Sequence, residues 1–437
     1  MRPTLPRLLR TTHPTNPARG RRRRWRHALP ITGPIGLATL LLVLGLSSLP
    51  DLRTTEGEVR TAPRVGATNP DTDPFYRSGR DLRGLAPGTI LRSRRVTLAA
   101  LTLVPTGVTA TQVLYRTTDQ IGRPALAVAT IIRPRAARAH RLVSYQTFYD
   151  GLAGRCAPSY YLQGGTPPLA SGVIDAALLT SYLSLGYTVV TADYETTEHH
   201  YTAGQGSGRA TLDGIRAALH RLDARPARTR VAMVGYSGGA IASAFAAEQA
   251  ARYAPELDLV GTAVGGPPVS LAHTLRYIDG SPTWTGTLPY ALVGLARGFG
   301  VDLRPHLTPL GRTEFADAGR GCLNPVGVYG MTDLFKARDP YAIPVLRRML
   351  ATVTMGRTAP DHPVLLGVGN YDGRGDGVMI ARDTRRLAAS YCARGTRTQF
   401  HEYTGLDHYG AITRFSADAL AFVQARLEDR RVPTTCR

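Results

Sequence analysis

One short stretch constrains the fold more than any other. Gly235-Tyr236-Ser237-Gly238-Gly239 follows the apolar run 230–234 without a break, and residues 240–252 continue from it directly. The run reads as a buried strand, and the following segment, rich in small residues, reads as a helix able to pack close to a sheet. A strand that turns at once into a helix bends sharply, and a side chain on either flanking glycine would clash with a neighbouring strand or helix. The Ser237 hydroxyl would then stand clear of the backbone near the helix N-terminus, where the next N–H can stabilise an oxyanion. Five such residues recur by chance in glycine-rich chains; the strand and helix around them make Ser237 a candidate nucleophile.

The rest of the chain repeats this alternation. Strand-type runs occur at 111–116, 125–132, 142–146, 187–191, 230–234, 259–264, 364–368 and 398–403. Helical patterns fall between many of them, at 174–185, 211–222, 240–252, 384–393 and 417–427. That order predicts an α/β fold with a mostly parallel central sheet flanked by helices, opened by an antiparallel hairpin around the turn Asp119–Gly122. Between Pro268 and Asp361 the rhythm fails: apolar helical stretches at 290–299 and 345–353 lie among many Pro and Gly, with no strong strand. Such a length, at about 269–361, is expected to be a helical cap over the site, with a separate domain as the alternative.

Composition limits the partners. Of the formal charge of +21, nine arginines lie in residues 1–50, which hold no acid, so the balance of the remainder drops to +12. The other arginines are scattered, and Lys336 is the sole lysine, so a solvated basic surface is expected and nucleic acid is not an expected partner. Residues 1–27 form a basic segment, 28–50 an uncharged apolar stretch, and 51–72 a linker rich in Pro, Thr, Arg and Gly. Basic residues ahead of an apolar stretch read as a signal peptide or a transmembrane anchor, sending the remainder outward. Membrane association through 28–50 is therefore one expectation. Cys156, Cys322, Cys392 and Cys436 are widely spaced, which suits two disulfides in an exported chain; three connectivities are open on spacing alone.

A serine nucleophile needs a histidine to take its proton and an acid to hold that histidine. In α/β-hydrolases the chain order is Ser, acid, His, with both partners beyond later strands. His408 lies in the turn 405–410 after the last strand run. Two acids follow the run 364–368. Asp372, three residues past Gly369, is the expected partner, and Asp376 is the alternative, reachable if the glycine-rich loop doubles back. The fragment 372–377 also has the look of part of a calcium loop, although the further oxygen ligands are missing. His199 and His200 lack ligand spacing and read as exposed loop residues.

These stretches give the chain a resemblance to the secretory lipases, a fungal and actinobacterial α/β-hydrolase group, from about Asp73 to Cys436. The resemblance is carried by Asp73-Pro-Phe-Tyr76, Ser144-Tyr-Gln-Thr-Phe-Tyr-Asp150, Cys156-Ala-Pro-Ser-Tyr160, Thr191-Ala-Asp-Tyr-Glu195, the pentapeptide at 235–239 and Gly405-Leu-Asp-His408. It implies that Asp150 supplies the second oxyanion-hole N–H beside Gly238, a residue that otherwise reads as part of a turn. It also implies pairing of Cys156 with Cys322 and of Cys392 with Cys436, and a lid in the long insertion. The family's acid usually stands in Asp-x-x-Val-Pro, whereas this chain has Asp376-Gly377-Val378-Met379; spacing to Cys392 and His408 favours Asp376 over Asp372. The expectation is an exported carboxylic-ester hydrolase, a lipase acting on acylglycerols or other fatty-acyl esters, with no metal or organic cofactor. A peptidase or acyltransferase with the same triad, or a membrane-tethered non-catalytic binding module, are the alternatives.

Overall fold

The computed structural model describes residues 67–98, 107–165 and 171–436. The expected basic segment 1–27, the apolar stretch 28–50 and most of the linker lie outside the described residues. Among the described residues no helix is long and apolar enough to cross a membrane.

Nine strands form one sheet: β1 (Ile90–Val96), β2 (Val108–Thr118), β3 (Pro124–Pro134), β4 (Arg141–Gln146), β5 (Thr188–Ala192), β6 (Arg230–Tyr236), β7 (Asp258–Gly265), β8 (Val364–Asn370) and β9 (Thr398–Thr404). Their order is β1-β2-β3-β5-β4-β6-β7-β8-β9. β1, β2 and β3 pair antiparallel, β3 meets β5 antiparallel, and every pair beyond is parallel. The central strands are apolar on both faces because both faces are covered. Val143, Val189 and Val234 point to one core, and their sequence neighbours Leu142, Val190 and Met233 to the other. The first core lies under α1 (Ser171–Ser184) and α9 (His408–Leu427), the second under α2 (Gly204–Arg221) and α3 (Gly238–Tyr253). Helix α8 (Ala381–Ala393) packs on β8 and β9. This is an α/β-hydrolase fold.

Three elements depart from the sequence reading. β1 is an edge strand whose Arg92 and Arg95 face solvent, so its charge hides its pairing with β2. α2 begins at Gly204, well before the expected 211. Its opening glycines look like a loop, yet a Cβ on Gly208 would lie 2.6 Å from the Phe245 carbonyl carbon of α3. α9 begins at His408 rather than at 417, because Asp407 caps it by accepting from the Gly410 N–H at 2.7 Å.

Between β7 and β8 the chain forms α4 (Leu271–Ile278), α5 (Thr287–Phe299), α6 (Pro309–Ala318) and α7 (Pro344–Thr352). Leu275, Leu288, Leu292 and Leu346 of these helices share one core with Val264 of β7 and Leu366 and Val368 of β8. Disulfides join Cys156 to Cys322 and Cys392 to Cys436. The first ties the segment after β4 to the insertion. The second ties α8 to the C-terminal tail, which lies along the outer edge of β9: the Thr435 N–H donates to the Thr398 carbonyl at 2.9 Å, and the Phe400 N–H to Thr435 Oγ1 at 3.1 Å.

Candidate active site

The bend after β6 places Ser237 at φ 54° and ψ −116°, a strained conformation for a residue with a side chain. The Ser237 N–H donates to the Gly265 carbonyl at 2.9 Å, which fixes the bend against β7. Glycine is required around it by contact. A Cβ on Gly235 would fall 2.2 Å from the Gly239 carbonyl oxygen, and one on Gly239 would fall 2.2 Å from that of Gln146.

His408 is the first residue of α9, and its ring faces this bend. The Ser237 hydroxyl lies 2.8 Å from Nε2, and Nδ1 lies 2.8 Å from Asp376 Oδ2. With Nδ1–H donating to the carboxylate, Nε2 is left to accept from the hydroxyl. The backbone reinforces the ring's position: the His408 N–H donates to the Asp376 carbonyl at 2.8 Å, and the Tyr236 hydroxyl donates to the His408 carbonyl at 2.6 Å. Asp376 is fully buried, and its second oxygen accepts from the Val378 and Met379 N–H groups at 2.9 and 2.6 Å.

Asp372, the expected acid, is elsewhere. Its carboxylate accepts from the Arg374 and Gly375 N–H groups, each at 2.8 Å, and from the Tyr277 hydroxyl at 2.7 Å. The loop after β8 does double back: the Tyr371 N–H reaches the Gly375 carbonyl at 2.7 Å, Gly375 bridges to Ile380, and Gly373 and Gly377 take positive φ of 82° and 95°. That reversal spends Asp372 on closing the turn and delivers Asp376 to the imidazole.

Asp150 stands beyond β4, against the bend: a Cβ on Gly238 would fall 1.6 Å from Asp150 Oδ1. Neither the Gly238 N–H nor the Asp150 N–H donates to another group among the described residues. Burial, with Asp175 nearby, pushes the Asp150 carboxyl well above the usual carboxylate range. Two further buried acids pin this segment. Asp175 accepts from the Tyr145 hydroxyl at 2.9 Å and from the Phe148 N–H at 3.1 Å, and Asp193 from the Ser159 N–H at 3.0 Å. Burial lifts both carboxyls to about 7. A cavity of about 250 Å³ opens over Ser237 and His408, walled by Phe148, Ile174, Trp284 and Tyr409.

Comparison with known proteins places the chain in a family. Residues 170–434 match the secretory lipase family. Over 84% of its length the chain is 32% identical to "Probable inactive lipase MT1628" of Mycobacterium tuberculosis, covering 85% of that protein. The chain belongs to the secretory lipase family. It is 31% identical, again over 84% of its length and 83% of the other chain, to "Secreted triacylglycerol lipase LIP4" of Malassezia globosa. The crystal structure of Candida antarctica lipase A in its closed state superposes with a TM-score of 0.78 at 26% identity, over 85% of this chain and 89% of that one. This member of the family is a serine ester hydrolase.

Some of the site escaped the sequence reading. His199 and His200 are not exposed: His200 is 3% exposed and sits 3.0 Å from Glu198, while His199 Nδ1 lies 2.9 Å from the Tyr149 hydroxyl. Trp284, from the Pro- and Gly-rich start of the insertion, and Tyr409 were not singled out, since neither belongs to a periodic pattern or a motif. Asp175 carries no local signal either, its partners Tyr145, Phe148 and Tyr161 being 14 to 30 residues away in sequence, and Asp193 stands in a stretch that carries the family resemblance without any sign of its partner Ser159, 34 residues away.

Proposed function

We propose that this protein is an exported lipase that hydrolyses acylglycerols or other fatty-acyl esters through an acyl-enzyme on Ser237. The observation that carries the reading is the continuous chain of 2.8 Å contacts from the Ser237 hydroxyl through His408 to Asp376. Membership of the family alone would not carry it, because one relative is named inactive.

In this reading the substrate carbonyl enters the cavity with its oxygen toward the N–H groups of Gly238 and Asp150. Ser237 Oγ attacks the carbonyl carbon while His408 Nε2 takes its proton, and Asp376 holds the imidazole in the accepting tautomer and stabilises the imidazolium. The tetrahedral oxyanion receives the two N–H donors, each contributing about 3 kcal/mol to the transition state. The ester C–O bond then breaks, its electron pair leaves on the alcohol oxygen, and that oxygen takes the proton from Nε2. Water repeats the sequence on the acyl-enzyme and releases the acid. Export is supported by the basic and apolar start of the chain and by the secreted relative.

Ser237→Ala is expected to lower kcat for p-nitrophenyl butyrate by about 10⁵-fold or more, with an unchanged melting temperature, and to abolish labelling by a fluorophosphonate. Turnover at the parent rate in that variant would overturn the reading.

A further inference from the structure

We propose that Trp284 and Tyr409 form the leaving-group subsite of this enzyme and select esters of planar, aromatic alcohols. The inference rests on the Ser237 mechanism proposed above and extends it to the alcohol side of the substrate.

The argument starts from proton transfer. When the ester C–O bond breaks, its electron pair stays on the alcohol oxygen, and the proton that completes the alcohol comes from His408 Nε2. The alcohol oxygen must therefore lie within hydrogen-bond reach of that nitrogen. The oxyanion is directed to the Gly238 and Asp150 N–H groups, so the acyl chain takes the remaining direction from the tetrahedral carbon. Side chains beside the imidazole consequently meet the alcohol portion.

Three aromatic rings pack around the His408 ring. Tyr236 lies 5.1 Å away between centroids, but it is buried and its hydroxyl is tied to the His408 carbonyl. Trp284 stands edge-on at 5.5 Å, and Tyr409 at 6.2 Å. Trp284 and Tyr409 are stacked on each other at 5.3 Å with 24° between their planes, and both line the cavity. Tyr409 is 52% exposed, so the pair forms a wall running from the imidazole to solvent. It joins an element of the insertion to the N-terminus of α9, which carries His408 itself. A flat ring can extend an offset stack at this wall, whereas a saturated ring of the same carbon count is thicker and lacks the ring quadrupole.

The test compares 2-phenylethyl and 2-cyclohexylethyl butyrate, whose alcohols are closely similar in acidity. The parent enzyme is expected to favour the phenyl ester in kcat/KM. Trp284→Leu and Tyr409→Leu should each lower that preference by about 2- to 10-fold, and Tyr409→Phe should retain it. The ratio between butyrate and octanoate esters of a single alcohol should stay within about twofold in all three. A merely structural role would depress every ester alike. Because Trp25 is the other tryptophan of the chain, a Trp25→Phe background reports Trp284 fluorescence alone. There 2-phenylethanol should change the emission at concentrations where 2-cyclohexylethanol does not, including in Ser237→Ala, where no turnover is needed. A phenyl preference untouched by both leucine variants, or emission that responds equally to the two alcohols, would overturn the subsite. Loss of all ester turnover in the parent, with the alcohol response kept, would instead overturn the hydrolase mechanism.

Discussion

Ser237 and His408 stand at the N-termini of α3 and α9, whereas Asp376 and Asp150 stand in loops beyond β8 and β4. In the first half, a strand and a helix fix each residue, and the clearance for the bend comes from glycines against backbone. In the second half, position comes from hydrogen bonds made by side chains distant in sequence, or from a loop folding back on itself. The difference teaches that helix-end positions follow from local order, while loop positions follow from which polar groups are satisfied.

The sharpest test of this contrast is in the acid loop. Asp376→Asn is expected to lower kcat by about 10⁴-fold because the imidazole loses its tautomer partner. Asp372→Asn should stay within about tenfold, since Asp372 closes the turn without touching the ring. Equal losses in the two variants would erase the distinction between the two carboxylates. The next largest effect belongs to the bend. Gly239→Ala drives a methyl into the Gln146 carbonyl and should cost about 3 kcal/mol, lowering the melting temperature by about 4 °C by calorimetry.

A smaller effect, dependent on pH, probes the segment holding Asp150. Burial raises Asp193 from its ordinary 3.8 to about 7, so the neutral carboxyl is favoured in the folded state. A group raised in this way supports folding fully below its unfolded pKa and loses that support as pH rises from about 4 to about 7. Asp193→Asn, which never ionises, should therefore gain on the parent across that window, by on the order of 2 kcal/mol. Melting curves at pH 4.5 and pH 8 measure it, and a constant difference would contradict the assignment. Last, Asp407→Ala removes the cap of α9 and should cost about 1 kcal/mol. A modest fall in kcat/KM is expected as His408 loosens, read from melting and steady-state kinetics together.

The sequence made the first half of the site legible and the second half only partly so. The strand before Ser237, the small-residue helix after it and the turn before His408 each carry local patterning that a sheet with helices on both faces demands. For the acid, strand distance favours Asp372 unless the glycine-rich loop reverses, while the spacing to Cys392 and His408 implied by the family resemblance favours Asp376. The family resemblance supplied the pairing of the cysteines and pointed to Asp150, where local sequence suggested a turn. Trp284 and Tyr409 come together only through the path of the insertion, and the charged strand β1 is stabilised by pairing that no periodicity announces.

The tail along β9 has a consequence for making the protein. An outer strand with free N–H and C=O groups can recruit strands from other molecules, and here the cover is fastened by a bond between Cys392 and Cys436. Folding where thiols stay reduced would leave that fastening undone. Soluble yield of a Cys392→Ser/Cys436→Ser variant from an oxidising host, where Cys156 still pairs with Cys322, thus reports on a seam far from Ser237, and aggregation of that variant would signal an open edge rather than a damaged site.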